Sequence, residues 1–201
     1  MRSNTLPSID VIKKEDKEAK LKAFISEHIA SRGGVSADSG SERAYLLIAR
    51  SSESPVVRAL AAAVAESCGR GNALKALVAM PVDAAMENWP SELATISDGR
   101  SLNDLRLMDA HEQLWLDSET AWIGDCMRRD PAKRDAYECY ANGCETTAQF
   151  VETAFSRLWD KGYAMAPLPG AICVSTSAEI DPLIASAAAT DTGGPAASTR
   201  H

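Results

Sequence analysis

The residues able to do chemistry gather in one stretch. Residues 111–127 read His-Glu-Gln-Leu-Trp-Leu-Asp-Ser-Glu-Thr-Ala-Trp-Ile-Gly-Asp-Cys-Met. His111 stands at the entry of this stretch, a candidate site residue. Gln113 lies two residues on and offers hydrogen-bond donors without charge. Asp117 is a candidate for the site and equally a turn former. Gly124 permits a close backbone approach, with Asp125 beside it. Just downstream come Arg128, Arg129, Lys133 and Arg134, a basic cluster suited to an anion. Cys126 has no cationic neighbour close in sequence except Arg128 and is not expected to be a reactive thiol.

A hairpin would position these side chains. Residues 114–116 are bulky and apolar, residues 117–119 are polar, and residues 120–123 form a second short strand closed by Gly124. The two ends of such a ribbon return side by side, so His111 is expected beside residues 124–127. Residues two apart on a strand share a face, so Gln113 points where His111 points. Trp115 and Trp122 are expected in a core or an interface.

The motif resembles that of the phospholipase D superfamily, in which a His-x-Lys pair is followed by an Asp, then by Gly-Ser/Gly with an Asn after it. His111, Asp117 and Gly124 match, and the Asp-to-Gly spacing is that of the family. Gln113 replaces the lysine, the intervening strand is one residue short, and Asp125 and Met127 replace the usual Ser and Asn. The chain looks like a member whose reaction centre is partly dismantled. The resemblance implies two half-sites facing each other: one histidine attacks phosphorus, the other protonates the leaving oxygen, and lysines and asparagines hold the phosphate oxygens. With one half per chain, it further implies a homodimer whose two His111 residues face across a cleft. It implies no cofactor and no metal.

The surrounding order agrees with that resemblance. Residues 44–50 read as a strand, 51–55 as a turn, 56–68 as an alanine-rich helix starting at Pro55, and 74–80 as a second strand. This is a β-α-β unit with parallel strands. A short helix at 84–89 follows, then residues 102–108 leading to the histidine strand, a strand at 135–140 and an amphipathic helix at 145–159. The expected fold is an α/β domain, a mixed sheet flanked by helices, with the resemblance spanning about 44–161. Residues 9–31 are predicted to form an N-terminal helix carrying a solvated face of mixed charge, followed by a loop to residue 43. Residues 1–8 and the Ala/Ser/Thr/Gly/Pro-rich tail, 167–201, are expected to be disordered, leaving 44–166 as the domain.

Composition bounds the rest. The chain has 201 residues, 45% hydrophobic and 24% charged, enough for one domain with a core. No apolar run reaches a membrane span, and the N-terminus has no segment of signal-peptide type. Five cysteines at irregular spacing argue against a disulfide framework, and no spacing suggests zinc. Together these predict a cytoplasmic protein. The net charge of −7 disfavours loose binding to nucleic acid.

The leading expectation is therefore a catalytically degenerate homodimer acting as a binding or scaffold module, with a phosphate-containing ligand or nucleic acid as its partner. The alternative is an active, metal-independent phosphodiesterase or nuclease using His111 and a replacement cation from the basic cluster. A regulator that binds nucleic acid through that cluster comes third.

Overall fold

The computed structural model describes residues 5–32, 44–67, 73–94, 97–102, 111–126 and 135–165. In chain order the elements are β1 (Ser8–Lys13), α1 (Lys17–Arg32), β2 (Tyr45–Ala49), α2 (Pro55–Glu66), β3 (Leu74–Val78), α3 (Val82–Glu87) and α4 (Ser91–Ala94). They continue with β4 (Ser97–Ser101), β5 (Gln113–Trp115), β6 (Thr120–Ile123), β7 (Asp135–Asn142), α5 (Glu145–Trp159) and β8 (Tyr163–Ala164). The strands form one mixed sheet in the order β1-β7-β6-β5-β2-β3-β4-β8.

The β-α-β unit forms as its sequence requires. Pro55 occupies the first turn of α2, where its missing N–H costs nothing. The apolar face of α2, with Val56, Val57, Leu60 and Val64, then packs on the sheet. The crossover makes β2 and β3 parallel, with Leu47 opposite Ala76. The hairpin also forms. Leu114 pairs with Trp122 and Trp115 with Ala121, and β5 joins β2 antiparallel through Leu47↔Leu114.

Alternation along the strands separates two cores. Leu114, Leu116, Trp122 and Tyr140 face α1 and α2, whose Leu21, Ile25 and Leu60 are fully buried. Trp115, Ala121, Ile123 and Cys139 face α5 through Ala148 and Val151. Phe155 of α5 closes over Ile48 and Leu77 on that same side.

One expectation fails. Residues 9–31 are not a single helix. Residues 8–13 form β1, an edge strand antiparallel to β7, and only from Lys17 is the chain helical. The run Ile9-Asp10-Val11-Ile12 is rich in β-branched residues, which pack well on a pleated surface. Pairing with a strand about 130 positions later then decides its state, with Ser8 opposite Tyr140. The N–H of Thr5 also donates to the Gly143 carbonyl at 3.1 Å, so residues 5–8 run along the fold instead of forming part of a disordered head. The expected tail, the loop from Gly33 to Glu42 and the lead-in at 103–108 lie outside the described residues.

Candidate functional site

Strands β2, β3 and β4 run parallel, so their carboxyl ends share one edge of the sheet. Strand β5 is antiparallel to β2, which brings the residues preceding it, His111 and Glu112, to that same edge. The chain leaving β6 arrives there too, and the N–H of Gly124 donates to the Glu112 carbonyl at 2.8 Å. The hairpin therefore sets His111 beside Gly124 and Asp125. Sheet order changes direction at β2, with β3 on one side and β5 on the other, and ligands of open α/β sheets bind beyond such a point.

Gly124 has a steric reason to be glycine. A Cβ there would lie 2.6 Å from the Trp122 ring and 3.4 Å from Glu138 Oε2. Asp125 follows in the left-handed region at φ 48°, a conformation that aspartate tolerates better than most residues. His111 is exposed. Gln113 is buried, in register with Ile48 on one side and Ile123 on the other. Its Oε1 has no hydrogen-bond partner among the described residues. Gln113 therefore presents a neutral amide between aliphatic neighbours.

Beneath the edge sits an ionic cluster that spacing did not reveal. Lys17, the first residue of α1, places its ammonium 3.0 Å from Glu138 Oε1 and 3.8 Å from Glu112 Oε2. The same ammonium stands 5.1 Å from the centre of the Trp122 ring. All three charged residues are buried, Glu138 completely. Burial raises the Glu138 pKa above the usual carboxylate value; the Lys17 charge and hydrogen bond oppose this, and the nearby Asp125 carboxylate adds a small upward push. The second oxygen of Glu112 accepts the backbone N–H of Arg50 at 3.2 Å, tying the end of β2 to the residue after His111. Burial also raises the Cys126 pKa, as do the Glu138 and Asp125 carboxylates, so this thiol is poorly ionised.

Asp117 is not part of this edge. It lies at the hairpin tip, at the far end of β5, roughly 20 Å from His111 at about 3.3 Å per strand residue. Its Oδ1 accepts the Glu119 N–H at 2.8 Å, an Asx turn. Its Oδ2 lies 3.9 Å from Nδ1 of the buried His28, in a polar cleft of about 260 Å³ that Phe24, Glu27 and Asn142 also line. Arg128, Arg129, Lys133 and Arg134, like Met127, lie outside the described residues.

Lys17, Arg50, Glu112 and Glu138 were missed by sequence reasoning. Lys17 reads as one more charge on a solvated helix face, and Arg50 as the end of a strand. Only Glu138 carried a signal, as a carboxylate inside the otherwise uncharged run Ala136-Tyr137-Glu138-Cys139-Tyr140-Ala141. Among the described residues no group of three or more His, Cys, Asp or Glu could hold a metal ion. No helix among them is long and apolar enough to cross a membrane.

No protein-family model matches the sequence, and no curated protein does either. The architecture has known counterparts. The structure of Nuc from Salmonella typhimurium, a phospholipase D family member, superposes with a TM-score of 0.50 at 12% identity, covering 79% of this chain and 98% of that one. The fold is that of the phospholipase D family. TrmBL2, an archaeal chromatin protein with a novel mode of DNA binding, gives a TM-score of 0.51 at 14% identity. That match covers 81% of this chain and 55% of TrmBL2, so the chain spans about half of its length. NucT from Helicobacter pylori matches over 79% of this chain and 99% of its own, at 10% identity and a TM-score of 0.46. The phospholipase D-like fold accounts for the eight-stranded mixed sheet and its flanking helices among the described residues.

Proposed function

We propose that this chain is a catalytically degenerate phospholipase D-like homodimer that binds a phosphate-bearing partner in the cytoplasm without cleaving it. One observation carries the reading: Gln113, two residues after His111, is buried between Ile48 and Ile123 and has no positive charge. Phosphoryl chemistry needs charge stabilisation where negative charge develops, and loss of one preorganised donor costs roughly 10²–10³ in rate. In a homodimer the loss occurs twice. The buried ammonium of Lys17 is held by Glu138 and Glu112, and Asp125 adds a carboxylate at the same edge. The likeness to TrmBL2 makes a nucleic-acid backbone the first macromolecular ligand to try.

Purified protein should show no turnover of bis-nitrophenyl phosphate, single-stranded DNA or phospholipid above a His111→Ala control. Turnover that disappears in His111→Ala and survives EDTA would instead establish the second reading, an active metal-independent phosphodiesterase with a replacement cation. The exposure of His111 at the open end of the hairpin favours that alternative.

A further inference from the structure

We infer that Arg50 is the anion-binding cation of this edge and acts together with His111 on a phosphate group. The inference rests on the reading of the edge as a phosphate site and names the residue that supplies its charge. Strands β2 and β5 are paired as far as Ile48↔Gln113. Past the ends of both strands, Arg50 follows β2 directly and His111 lies two residues before β5. If the register continued, the two would stand opposite each other, as neighbours of an antiparallel pair do. Both residues are exposed.

Glu112 holds the two strand ends together. It follows His111 directly, and its carboxylate accepts the Arg50 backbone N–H at 3.2 Å. That bond uses the main chain of Arg50 and leaves the guanidinium free to act. Among the described residues the guanidinium makes no ion pair, whereas Lys17, Lys20, Lys22 and Arg58 each face a carboxylate. The acids beneath the edge are turned inward: Glu138 is fully buried against Lys17, and Glu112 is buried between Lys17 and the Arg50 N–H. Among the described residues of the edge, Asp125 carries a charge that opposes an incoming anion.

A guanidinium presents a planar fork that matches two phosphate oxygens at once. His111 adds a donor from the segment that leads into β5. The pair thus supplies, from the residue after β2, the charge that Gln113 does not carry on β5. The ligand class is a phosphate group, as a diester or as free phosphate.

The full chain, labelled at histidine, tests this by NMR. Dimethyl phosphate and inorganic phosphate are titrated separately, and the His111 resonance is assigned with His111→Ala. The expected result is a saturable shift of His111, with an affinity that falls roughly tenfold or more in Arg50→Gln, as for loss of a charged hydrogen bond. Arg50→Lys, which keeps the charge and loses the fork, should lie between. The preferred anion separates a diester site from a free-phosphate site. Binding by the wild type that is unchanged in Arg50→Gln, with thermal unfolding also unchanged, overturns the assignment to Arg50 and leaves the phosphate site standing. No saturable shift in the wild type removes the phosphate site and the assignment with it.

Discussion

Glu138 is sealed from water and shares a proton equilibrium with its surroundings, so it links this fold to pH. Its folded pKa is raised above the usual 4.5, burial being the largest cause. Below 4.5 the carboxyl is protonated in both folded and unfolded chains, and its contribution to stability is complete. As pH climbs from there towards the raised value, the unfolded chain loses the proton first, so the native state holds more protons and stability falls. Urea unfolding of the wild type and of Glu138→Gln should therefore diverge across that window. The wild type should lose stability relative to the variant as pH rises. A difference that grows in favour of the wild type would mean that the Lys17 ion pair outweighs burial. Thiol chemistry gives a second residue-scale expectation. Cys126 is raised and Cys139 is pushed up to about 11, both mainly by burial. At neutral pH both should react with iodoacetamide well below the rate of a free cysteine, as read by mass spectrometry of the labelled sites.

Helix α1 is fastened to the sheet by an ion pair at its first turn and by apolar burial further along. Leu21 and Ile25 are completely buried, and Lys17 bridges Glu138 and Glu112. Removing one partner of a buried ionic cluster typically costs about 3–5 kcal/mol, because the remaining charges stay uncompensated. Lys17→Met should show a loss of that order in equilibrium unfolding at pH 7, and less in acid, where the carboxyls become neutral. The hairpin has its own steric requirement. In Gly124→Ala the new methyl would meet the Trp122 ring at 2.6 Å, and overpacking of this kind costs about 1–3 kcal/mol. Of these elements the hairpin, α2 and α5 were legible because each shows one clear period. Strand β1 was not, because Ile9, Val11 and Ile12 suit either a helix or a strand until β7 supplies the partner.

At the scale of the whole molecule, the sheet order places residues from β2, β5, β6, β7 and α1 at one edge. In the proposed homodimer that edge would form one half of a two-sided site. Sedimentation of the purified chain should return twice the mass of one chain. A monomer at micromolar concentration would remove the facing-histidine arrangement and leave the single edge. The hairpin tip belongs to a different part of the fold: Asp117 serves a turn and faces His28. Asp117→Ala is accordingly expected to lower stability while leaving anion binding at His111 unchanged, as read by the same NMR titration.

Local patterning by itself determined the β-α-β unit, the ribbon that carries His111, the neutral amide at Gln113 and the helix over residues 145–159. Those features follow from periodicity, punctuation and residue type, which act over a few positions. Tertiary structure alone decided that residues 8–13 are an edge strand, that Lys17 is buried against Glu138 and Glu112, and that the Arg50 N–H meets the Glu112 carboxylate. Each of these depends on which distant segment covers or pairs with which. A charge on a helix face reads the same in sequence whether water or a buried carboxylate lies beyond it.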